Sequence, residues 1–302
     1  MPKLAVLDIG TNSIHMVLAE VQPDYTYKIL DRFKDMTRLG DGVFTSRRLS
    51  DQAMMRGLEV IRNLVTLARN KGYERIEGVA TSAVREARNG GEFLDHVAQQ
   101  TGLTVRVITG AEEARLIFLG VQNSVALPEP PTLVIDIGGG SVEVIVGNRE
   151  TIYQARSLKL GAIRLKDLYL TKTPPSKAML HELEEAVTSQ LKQALGTYKT
   201  KRVEQIIATS GMAGNLAEVI YLQRTGRPLQ QLNRLADATL KTRLAMPGLD
   251  PKRVDTLLPA TMVFRILLDL LRKDELTICD KAIREGIIYD FIQRHHEGIQ
   301  AE

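Results

Sequence analysis

Cysteine and long apolar runs are both scarce in this sequence, and their scarcity narrows the class of protein. The 302 residues include one cysteine, Cys279, so no internal disulfide can form, and a reducing cytoplasm is the expected location. The apolar run at the N-terminus is interrupted by Asp8 and lacks the long apolar segment of a signal peptide. The most apolar later stretch, 263–271, contains Arg265 and Asp269 and is far shorter than the roughly 20 residues that cross a bilayer. We therefore predict a protein without a membrane span.

The composition indicates an ordinary globular protein with enough chain for two domains. Hydrophobic residues make up 44% of the sequence and charged residues 25%, a balance typical of chains that bury a sizeable core. The formal net charge is +4 and the sequence pI is about 9.1, which suits an anionic partner without identifying one. On composition alone, nucleic acid and phosphate compounds both remain open as partners.

Apolar runs and turn residues alternate along the chain in a way that predicts an α/β fold. The first strand covers 4–7, a turn covers 10–13, and a second strand covers 14–21. Ser50 is a good N-cap for a helix that ends at Gly72. Further strands are expected at 78–80, 103–108, 142–146 and 206–208, and further helices at 91–100, after Gly110, from Pro175 to about Tyr198, and after Gly211.

The sequence repeats one strand-turn-strand unit. The segment LDIGTNSIHMV at 7–17 aligns with IDIGGGSVEVI at 135–145, which matches Asp8 with Asp136. Two copies, each opening one half of the chain, indicate a duplicated two-domain architecture, with the proline-rich stretch 126–131 as the best linker candidate. Because a strand follows each glycine turn, where a Rossmann unit has a helix, the pattern disfavours a Rossmann dinucleotide site.

The two turns carry residues suited to binding phosphate. Backbone N–H groups in a glycine-rich turn can point together at an anion, because no Cβ blocks its approach. The alternative is a pair of ordinary hairpin turns, and the repetition of the motif argues against it. The residues concerned are Gly10, Thr11, Asn12 and Ser13 in the first copy and Gly138, Gly139, Gly140 and Ser141 in the second.

Carboxylates beside these turns point to a divalent cation. A carboxylate next to a phosphate pocket repels the ligand unless a cation lies between them, so Asp8 and Asp136 suggest Mg²⁺. Glu143 follows on the outgoing strand, and a hairpin would return its side chain to the vicinity of Asp136. The repeat places His15 at the equivalent position of the first half. We therefore expect the second copy to hold the chemistry and His15 to be structural.

Three further motifs could contribute to the site, and each has a structural alternative. Ser210 and Gly211 open a predicted helix, whose N-terminus can bind an anion or can simply be capped by a hydroxyl. Arg85 could bind phosphate oxygens bidentately or form a salt bridge with a nearby acid. Glu112 and Glu113 begin another helix, where acids commonly complement the helix dipole, although one of them could be a general base.

At these residues the chain resembles the exopolyphosphatase / guanosine pentaphosphate phosphohydrolase (Ppx/GppA) family of the actin-like ASKHA superfamily. The matching segments occur in the family's order and span nearly the whole chain. They are DIGTNS at 8–13, TSAVREARNG at 81–90, GAEEARLIFLGV at 110–121, VIDIGGGSVE at 134–143, KLGAIRL at 159–165, ATSGMAGNLA at 208–217, DTLLPA at 255–260 and AIREGII at 282–288. Sugar kinases and chaperone ATPases share segments such as DIGTNS, whereas TSAVREA and EEAR are more specific.

The resemblance implies an α/β fold of two actin-like (ASKHA, ribonuclease H-like) domains with an interdomain cleft, in a short form without the C-terminal HD-like domain of longer members. The expected domains are 1–125 and 126–302, and a C-terminal helix at about 290–302 could pack back on the first domain. A homodimer is a further expectation from the family.

The resemblance also implies roles for individual residues. Glu113 would be the catalytic base, and Asp136 and Glu143 would hold Mg²⁺ or another divalent cation or position the nucleophilic water. Asp8 is the further metal candidate that the residues themselves suggest. The residues expected to contact phosphates are Asn12, Ser13, Arg85, Gly139, Gly140, Ser141, Ser210 and Gly211. The chain departs from the family's usual residues at Val142, Met212 and Ala213.

The implied activity is release of terminal orthophosphate from polyphosphate or guanosine pentaphosphate, with no nucleic acid or membrane partner. Two other functions remain open, an ASKHA ATPase or kinase and a non-catalytic protein that binds polyphosphate or the nucleotide. Glu113 and Arg85 lie in the family-specific motifs and favour the hydrolase. Arg224, Arg227 and Arg234 could guide a long polyanion, although a solvated helix face is the simpler interpretation.

Overall fold

The computed structural model describes residues 2–196, 203–223 and 228–300. Two predicted features therefore lie outside the described residues, the helix end at Tyr198 and the arginines Arg224 and Arg227. Within the described part of the chain, no helix is both long enough and apolar enough to cross a membrane.

The chain forms two compact units, and the first is assembled from both ends of the sequence. Met1–Ser124 and Lys281–Glu302 make up the first unit, and Val125–Asp280 makes up the second. From the sequence we expect residues 126–302 to form the second domain, with a C-terminal helix at about 290–302 that could pack on the first. In the structure the returning segment begins at Lys281 and its helix spans Ile283–Gln300.

The first unit is built on a five-stranded mixed sheet with the order β3-β2-β1-β4-β5. Strands β1, β2 and β3 form an antiparallel meander, and β1, β4 and β5 are parallel. The strands are β1 (Lys3–Ile9), β2 (Ile14–Val21), β3 (Tyr27–Asp35), β4 (Arg75–Ala80) and β5 (Val105–Val107). The helices are α1 (Val43–Ser46), α2 (Asp51–Asn70), α3 (Ser82–Glu86), α4 (Gly90–Thr101), α5 (Gly110–Gln122) and, from the end of the chain, α12 (Ile283–Gln300).

The second unit repeats this topology with the strand order β8-β7-β6-β9-β10. Its meander is β6-β7-β8, and β6, β9 and β10 are parallel. The strands are β6 (Thr132–Ile137), β7 (Val142–Gly147), β8 (Ile152–Leu158), β9 (Gln205–Thr209) and β10 (Thr277–Ile278). The helices are α6 (Ala162–Tyr169), α7 (Lys177–Gly196), α8 (Ser210–Gln223), α9 (Pro228–Asp237), which contains Arg234, α10 (Leu240–Leu244) and α11 (Leu257–Leu271).

The repeated topology confirms the predicted α/β class and explains the repeat in the sequence. The central strands β1 and β6 are apolar except for their first residues, Lys3 and Thr132, and for an aspartate near each C-terminal end, and nearly every residue in them is buried. A strand with neighbours on both edges and helices over the sheet has this near-continuous apolar pattern. The short polar turn that follows each of them is therefore held at the edge of a rigid sheet.

The strands that sequence periodicity missed lie at sheet edges. Strand β3 carries charged residues on an alternating exposed pattern, and β8 alternates less regularly. Charges on an edge strand protect its unpaired backbone groups from pairing with another chain. The same charges weaken the apolar signal by which a strand is found in a sequence, which is why β3 was not predicted.

Helices α5 and α12 approach closely because glycines lie at their crossing. A Cβ on Gly286 would lie 1.8 Å from the carbonyl oxygen of Leu116, and a Cβ on Gly120 would lie 2.1 Å from that of Ala282. Arg115 Nη2 also donates to Asp290 Oδ1 at 2.6 Å. The C-terminal helix is thus packed backbone to backbone against the helix that begins with Glu112 and Glu113.

We predict that Gly286→Ala destabilises the protein by about 1–3 kcal/mol, because the added methyl group must push two helix backbones apart. Gly91→Ala in α4 is the matched control, since a Cβ there meets no atom within 4 Å, and its effect should be below about 1 kcal/mol. Urea unfolding followed by circular dichroism measures both variants. Equal stability of the two would contradict the close packing of α5 on α12.

Candidate active site

The turn after β1 (10–13) and the turn after β6 (138–141) have the same closing hydrogen bond. In both, the N–H of the first residue donates to the carbonyl oxygen of the fourth at 3.0 Å. We name them the first turn and the second turn. The first residue is glycine in each, and in the first turn a Cβ at Gly10 would lie 2.8 Å from the carbonyl oxygen of Ser13.

The carbonyl oxygens of the first turn are held by neighbouring segments of its own unit. Thr11 and Asn12 accept from the N–H groups of Gly40 and Arg38 at 2.8 and 2.9 Å. The Thr11 hydroxyl oxygen accepts from the N–H of Ala83 at 3.2 Å. By contrast, the N–H groups of the last three turn residues have no acceptor in the described part of the chain. The buried Oδ1 of Asn12 also lacks a hydrogen-bond partner there.

The second turn is anchored in the same way by α6. The carbonyl oxygens of Gly138 and Gly139 accept from N–H groups at the start of α6 at 2.8–3.1 Å, and that of Gly140 accepts from Arg164 Nε at 2.7 Å. Across the residues that the structure describes, the N–H groups of Gly139, Gly140 and Ser141 meet no acceptor. Successive N–H groups without acceptors form a concave anion-binding surface. Each turn therefore presents consecutive N–H groups of the kind expected from the sequence to bind phosphate.

Two carboxylates face each other in the hairpin that contains the second turn. Asp136 on β6 lies opposite Glu143 on β7 in the antiparallel register. The Thr209 hydroxyl donates to Asp136 Oδ2, and the Ser157 hydroxyl donates to Glu143 Oε1 at 2.7 Å. Both acids are at least nine-tenths buried. The hairpin thus brings Glu143 and Asp136 together as the sequence predicts.

This pair has the donor chemistry that Mg²⁺ prefers. Two neighbouring buried carboxylates repel one another unless a cation or a proton lies between them. Mg²⁺ is commonly bound by one or two carboxylates while water and substrate phosphates complete its shell. Among the described residues, no group of three or more His, Cys, Asp or Glu could hold a metal ion. Asp136 and Glu143 fit a metal that shares its coordination with the substrate.

Asp8 has a different electrostatic environment from its counterpart in the repeat. Arg284 on α12 places Nη1 3.6 Å from Asp8 Oδ2, and both side chains are largely buried. In the register, His15 lies opposite Asp8 where Glu143 lies opposite Asp136. The His15 ring also forms a 2.8 Å hydrogen bond with the Ser13 hydroxyl. A protein cation therefore neutralises Asp8, which the sequence assigns to the metal.

Glu113 and Glu112 occupy contrasting positions at the start of α5. Arg85 Nη1 donates to Glu113 Oε2 at 3.0 Å and to the carbonyl oxygen of Ile108 at 2.8 Å, and the Glu113 side chain is 10% exposed. Glu112 is more exposed and lies 3.7 Å from Arg115. Glu113 is thus a buried carboxylate held in one position by a guanidinium. The salt bridge considered as an alternative for Arg85 is present, and its partner is the predicted base.

Ser210 and Gly211 lie at the start of α8, where the backbone departs from ordinary geometry. Ser210 has φ 79°, a left-handed conformation that is uncommon outside glycine. The guanidinium of Arg253 fills the space beside Gly211, where a Cβ would lie 2.2 Å from Nη2. Burial lowers the pKa of the Arg253 guanidinium, and the neighbouring Asp250 acts in the opposite direction. Ser210 and Gly211 thus adjoin a buried cation of their own unit.

The sequence did not identify three arginines that lie beside the candidate site, although two of them lie in segments that match the family. Arg164 lies in the KLGAIRL segment and Arg284 in the AIREGII segment, both of which match the family. Neither residue stands beside a glycine turn in the sequence, so no local pattern links it to one. Arg253 lies outside the matched segments. Only the packing of α6 and α12 on the turns and strands reveals the first two contacts.

Comparison with known proteins agrees with this architecture. The model of the Ppx/GppA phosphatase family matches residues 13–295. A Haemophilus influenzae protein named "Putative exopolyphosphatase" is 28% identical over 295 residues, which cover 95% of this chain and 90% of that protein.

Solved structures show the same likeness in three dimensions. An exopolyphosphatase from Cytophaga hutchinsonii superposes with a TM-score of 0.88 at 27% identity and covers 97% of this chain and 98% of its own. An Aquifex aeolicus member of the Ppx/GppA family superposes with a TM-score of 0.79 at 25% identity over the same shares. The predicted fold class of two actin-like α/β domains is confirmed.

We predict that Gly161→Ala weakens binding of tripolyphosphate about tenfold or more, because a Cβ there would lie 2.3–2.4 Å from the backbone of Gly140 and Ser141 and must displace the second turn. Gly214→Ala is the control in the same unit, since its Cβ would meet no atom within 4 Å. Isothermal titration calorimetry measures both affinities. Unchanged affinity in Gly161→Ala would mean that the second turn does not bind phosphate.

A double-mutant cycle tests the Asp8–Arg284 pair. Arg284→Gln leaves a buried carboxylate without a cation that stabilises it, so it should destabilise more in the wild-type background than beside Asp8→Asn. We expect a coupling energy of about 1 kcal/mol or more from urea unfolding of the four proteins. A coupling energy near zero would show that the two side chains do not interact.

Proposed function

Since the chain belongs to the Ppx/GppA phosphatase family, we propose that it is a hydrolase that releases terminal orthophosphate from a phosphoanhydride chain. Inorganic polyphosphate is the first candidate substrate, and guanosine pentaphosphate is the second. Both present a terminal phosphoanhydride, which is the group that the proposed reaction requires.

The main support for this proposal is that the two turns have the same backbone hydrogen bonding. In each, the carbonyl oxygens are anchored and three consecutive N–H groups have no acceptor in the described chain. The turn follows a strand whose last residue but one is a buried aspartate. A phosphate group supplies the several acceptor oxygens that such a surface lacks. Every unit of a phosphoanhydride chain carries such oxygens, so a ligand of this class suits either turn.

Mg²⁺ is the proposed cofactor, and Asp136 and Glu143 are the residues that would hold it. When bound, the ion would neutralise phosphate oxygens and so lower the charge repulsion of an incoming nucleophile. Thr209 and Ser157 orient these two carboxylates through their hydroxyl groups. The first unit has Arg284 beside Asp8, so we propose the second unit as the metal site.

Glu113 is the proposed general base. Its carboxylate accepts the proton of a water molecule as the water oxygen bonds to the terminal phosphorus and the bridging P–O bond breaks. The products are orthophosphate and a chain shorter by one phosphate. Arg85 holds the carboxylate in place through its 3.0 Å bond to Oε2. Burial of Glu113 in the first turn of α5 keeps this geometry fixed before substrate arrives.

The adjacent glutamates allow a matched test of the base. Glu113→Gln should lower phosphate release from polyphosphate by about 100-fold or more, because an amide cannot accept the proton. Glu112→Gln, which alters a partly exposed carboxylate one residue away, should stay within about twofold of wild type. Malachite-green detection of phosphate, with no ADP or acceptor present, measures turnover and distinguishes hydrolysis from kinase activity.

Substrate binding and metal dependence are measured alongside the turnover of the two glutamate variants. Glu113→Gln should still bind tripolyphosphate with nearly wild-type affinity, and chelation of divalent ions should stop release in the wild type until Mg²⁺ is restored. Parallel rates on guanosine pentaphosphate identify the preferred substrate. Wild-type turnover in Glu113→Gln would refute the assignment of the base, and release of phosphate from ATP alone would favour an ATPase.

A further inference from the structure

Three exposed arginines lie together on the first unit, outside the site described above. Arg47 and Arg48 follow α1, and Arg88 follows α3. No acidic side chain in the described part of the chain pairs with any of them. Three guanidinium groups without an acidic partner on adjoining segments form a local concentration of positive charge.

The two segments that carry these arginines are fastened to each other. The N–H of Arg88 donates to the carbonyl oxygen of Arg47 at 2.9 Å. The buried side chain of Asn89 accepts from the N–H of Leu49 at 2.8 Å and donates to the carbonyl oxygen of Leu49 at 3.0 Å. Three hydrogen bonds thus fix the spacing of the arginine backbones, so the loss of entropy on binding a partner is confined to their side chains.

The backbone of Arg47 is held in an unfavourable conformation. Its φ of 60° lies in the left-handed region, which side chains with a Cβ rarely adopt. Glycine would fit this position without strain, yet the chain has arginine there. Strain of this kind persists where surrounding contacts enforce it, and it commonly accompanies function.

The arginine segments are also continuous with the first turn. The loop that precedes Arg47 donates to the turn through Arg38 and Gly40, and α3, which precedes Arg88, donates to the Thr11 hydroxyl oxygen. The positive surface therefore belongs to the same framework that positions the N–H groups of the first turn.

We propose that Arg47, Arg48 and Arg88 form a binding surface for the internal phosphates of a long polyphosphate chain, which we name the distal surface. This inference rests on the proposed function and adds a preference for long chains to it. Guanidinium groups bind phosphate oxygens bidentately, and polyphosphate presents a charge on every unit. A substrate with only a few phosphates would have none left for the distal surface once its end occupies a turn.

Removal of the three charges tests the distal surface. In the Glu113→Gln background, the triple variant Arg47→Gln/Arg48→Gln/Arg88→Gln should bind long-chain polyphosphate about tenfold more weakly. Its plot of log affinity against log salt concentration should be less steep by about 2, at about 0.7 per lost phosphate contact. Tripolyphosphate affinity should change less than about twofold.

A second triple variant, Lys28→Gln/Arg62→Gln/Lys192→Gln, is the control, because it removes three exposed cations elsewhere with the same change in net charge. An equal loss of polyphosphate affinity in both triple variants, or no loss in either, would overturn the distal surface. These measurements need no turnover. A wild-type protein that releases no phosphate would therefore refute the proposed function while leaving the test of the surface intact.

Arg47→Gly separates binding from folding. The substitution relieves the left-handed strain, so the thermal midpoint should stay equal or rise, whereas the affinity for long-chain polyphosphate should fall about threefold. Arg47→Lys should retain most of the affinity, because it preserves the charge. If Arg47→Gly lowered the stability without lowering the affinity, Arg47 would stabilise the loop and would not bind a ligand.

Discussion

The direction in which a few peptide groups point is the constraint on which the candidate site depends. In both turns the carbonyl oxygens are drawn toward the protein by donors from the same unit, and the N–H groups are therefore directed away from it. The anchors differ, since a loop and α3 hold the first turn and α6 holds the second. The same outcome from different contacts indicates that the orientation of the peptides, and not the particular anchors, is what the two halves share.

The two units deal with their buried acids differently. The first places arginines beside Asp8 and Glu113, whereas hydroxyl groups contact Asp136 and Glu143 in the second. A guanidinium compensates the charge of a neighbouring buried carboxylate, whereas a hydroxyl donates a hydrogen bond without supplying a positive charge. The duplicated framework thus has two electrostatic environments, one in which guanidinium groups lie beside buried carboxylates and one in which hydroxyl groups donate to them.

Short-range patterns in the sequence predicted those parts of the protein that are determined by residues close together in the chain. The apolar runs of β1 and β6, the glycine turns and the register that pairs Asp136 with Glu143 all follow from short-range spacing. The edge strand β3 was missed because its charges conceal its alternation. The contacts of Arg284 and Arg164 were missed because they come from helices distant from their targets in sequence. Glu113 is buried and Glu112 is not, and this difference could not be predicted because the two residues are adjacent in one helical turn.

The return of the C-terminal segment to the first unit has a consequence for the order of folding during synthesis. The second unit is encoded by one continuous stretch, Val125–Asp280, so all of its residues are synthesised before α12. The first unit must wait for α12, whose glycine contact with α5 and ion pairs with Asp8 and Arg115 complete it. A nascent chain interrupted before α12 is made would therefore carry a continuous second unit beside an unfinished first.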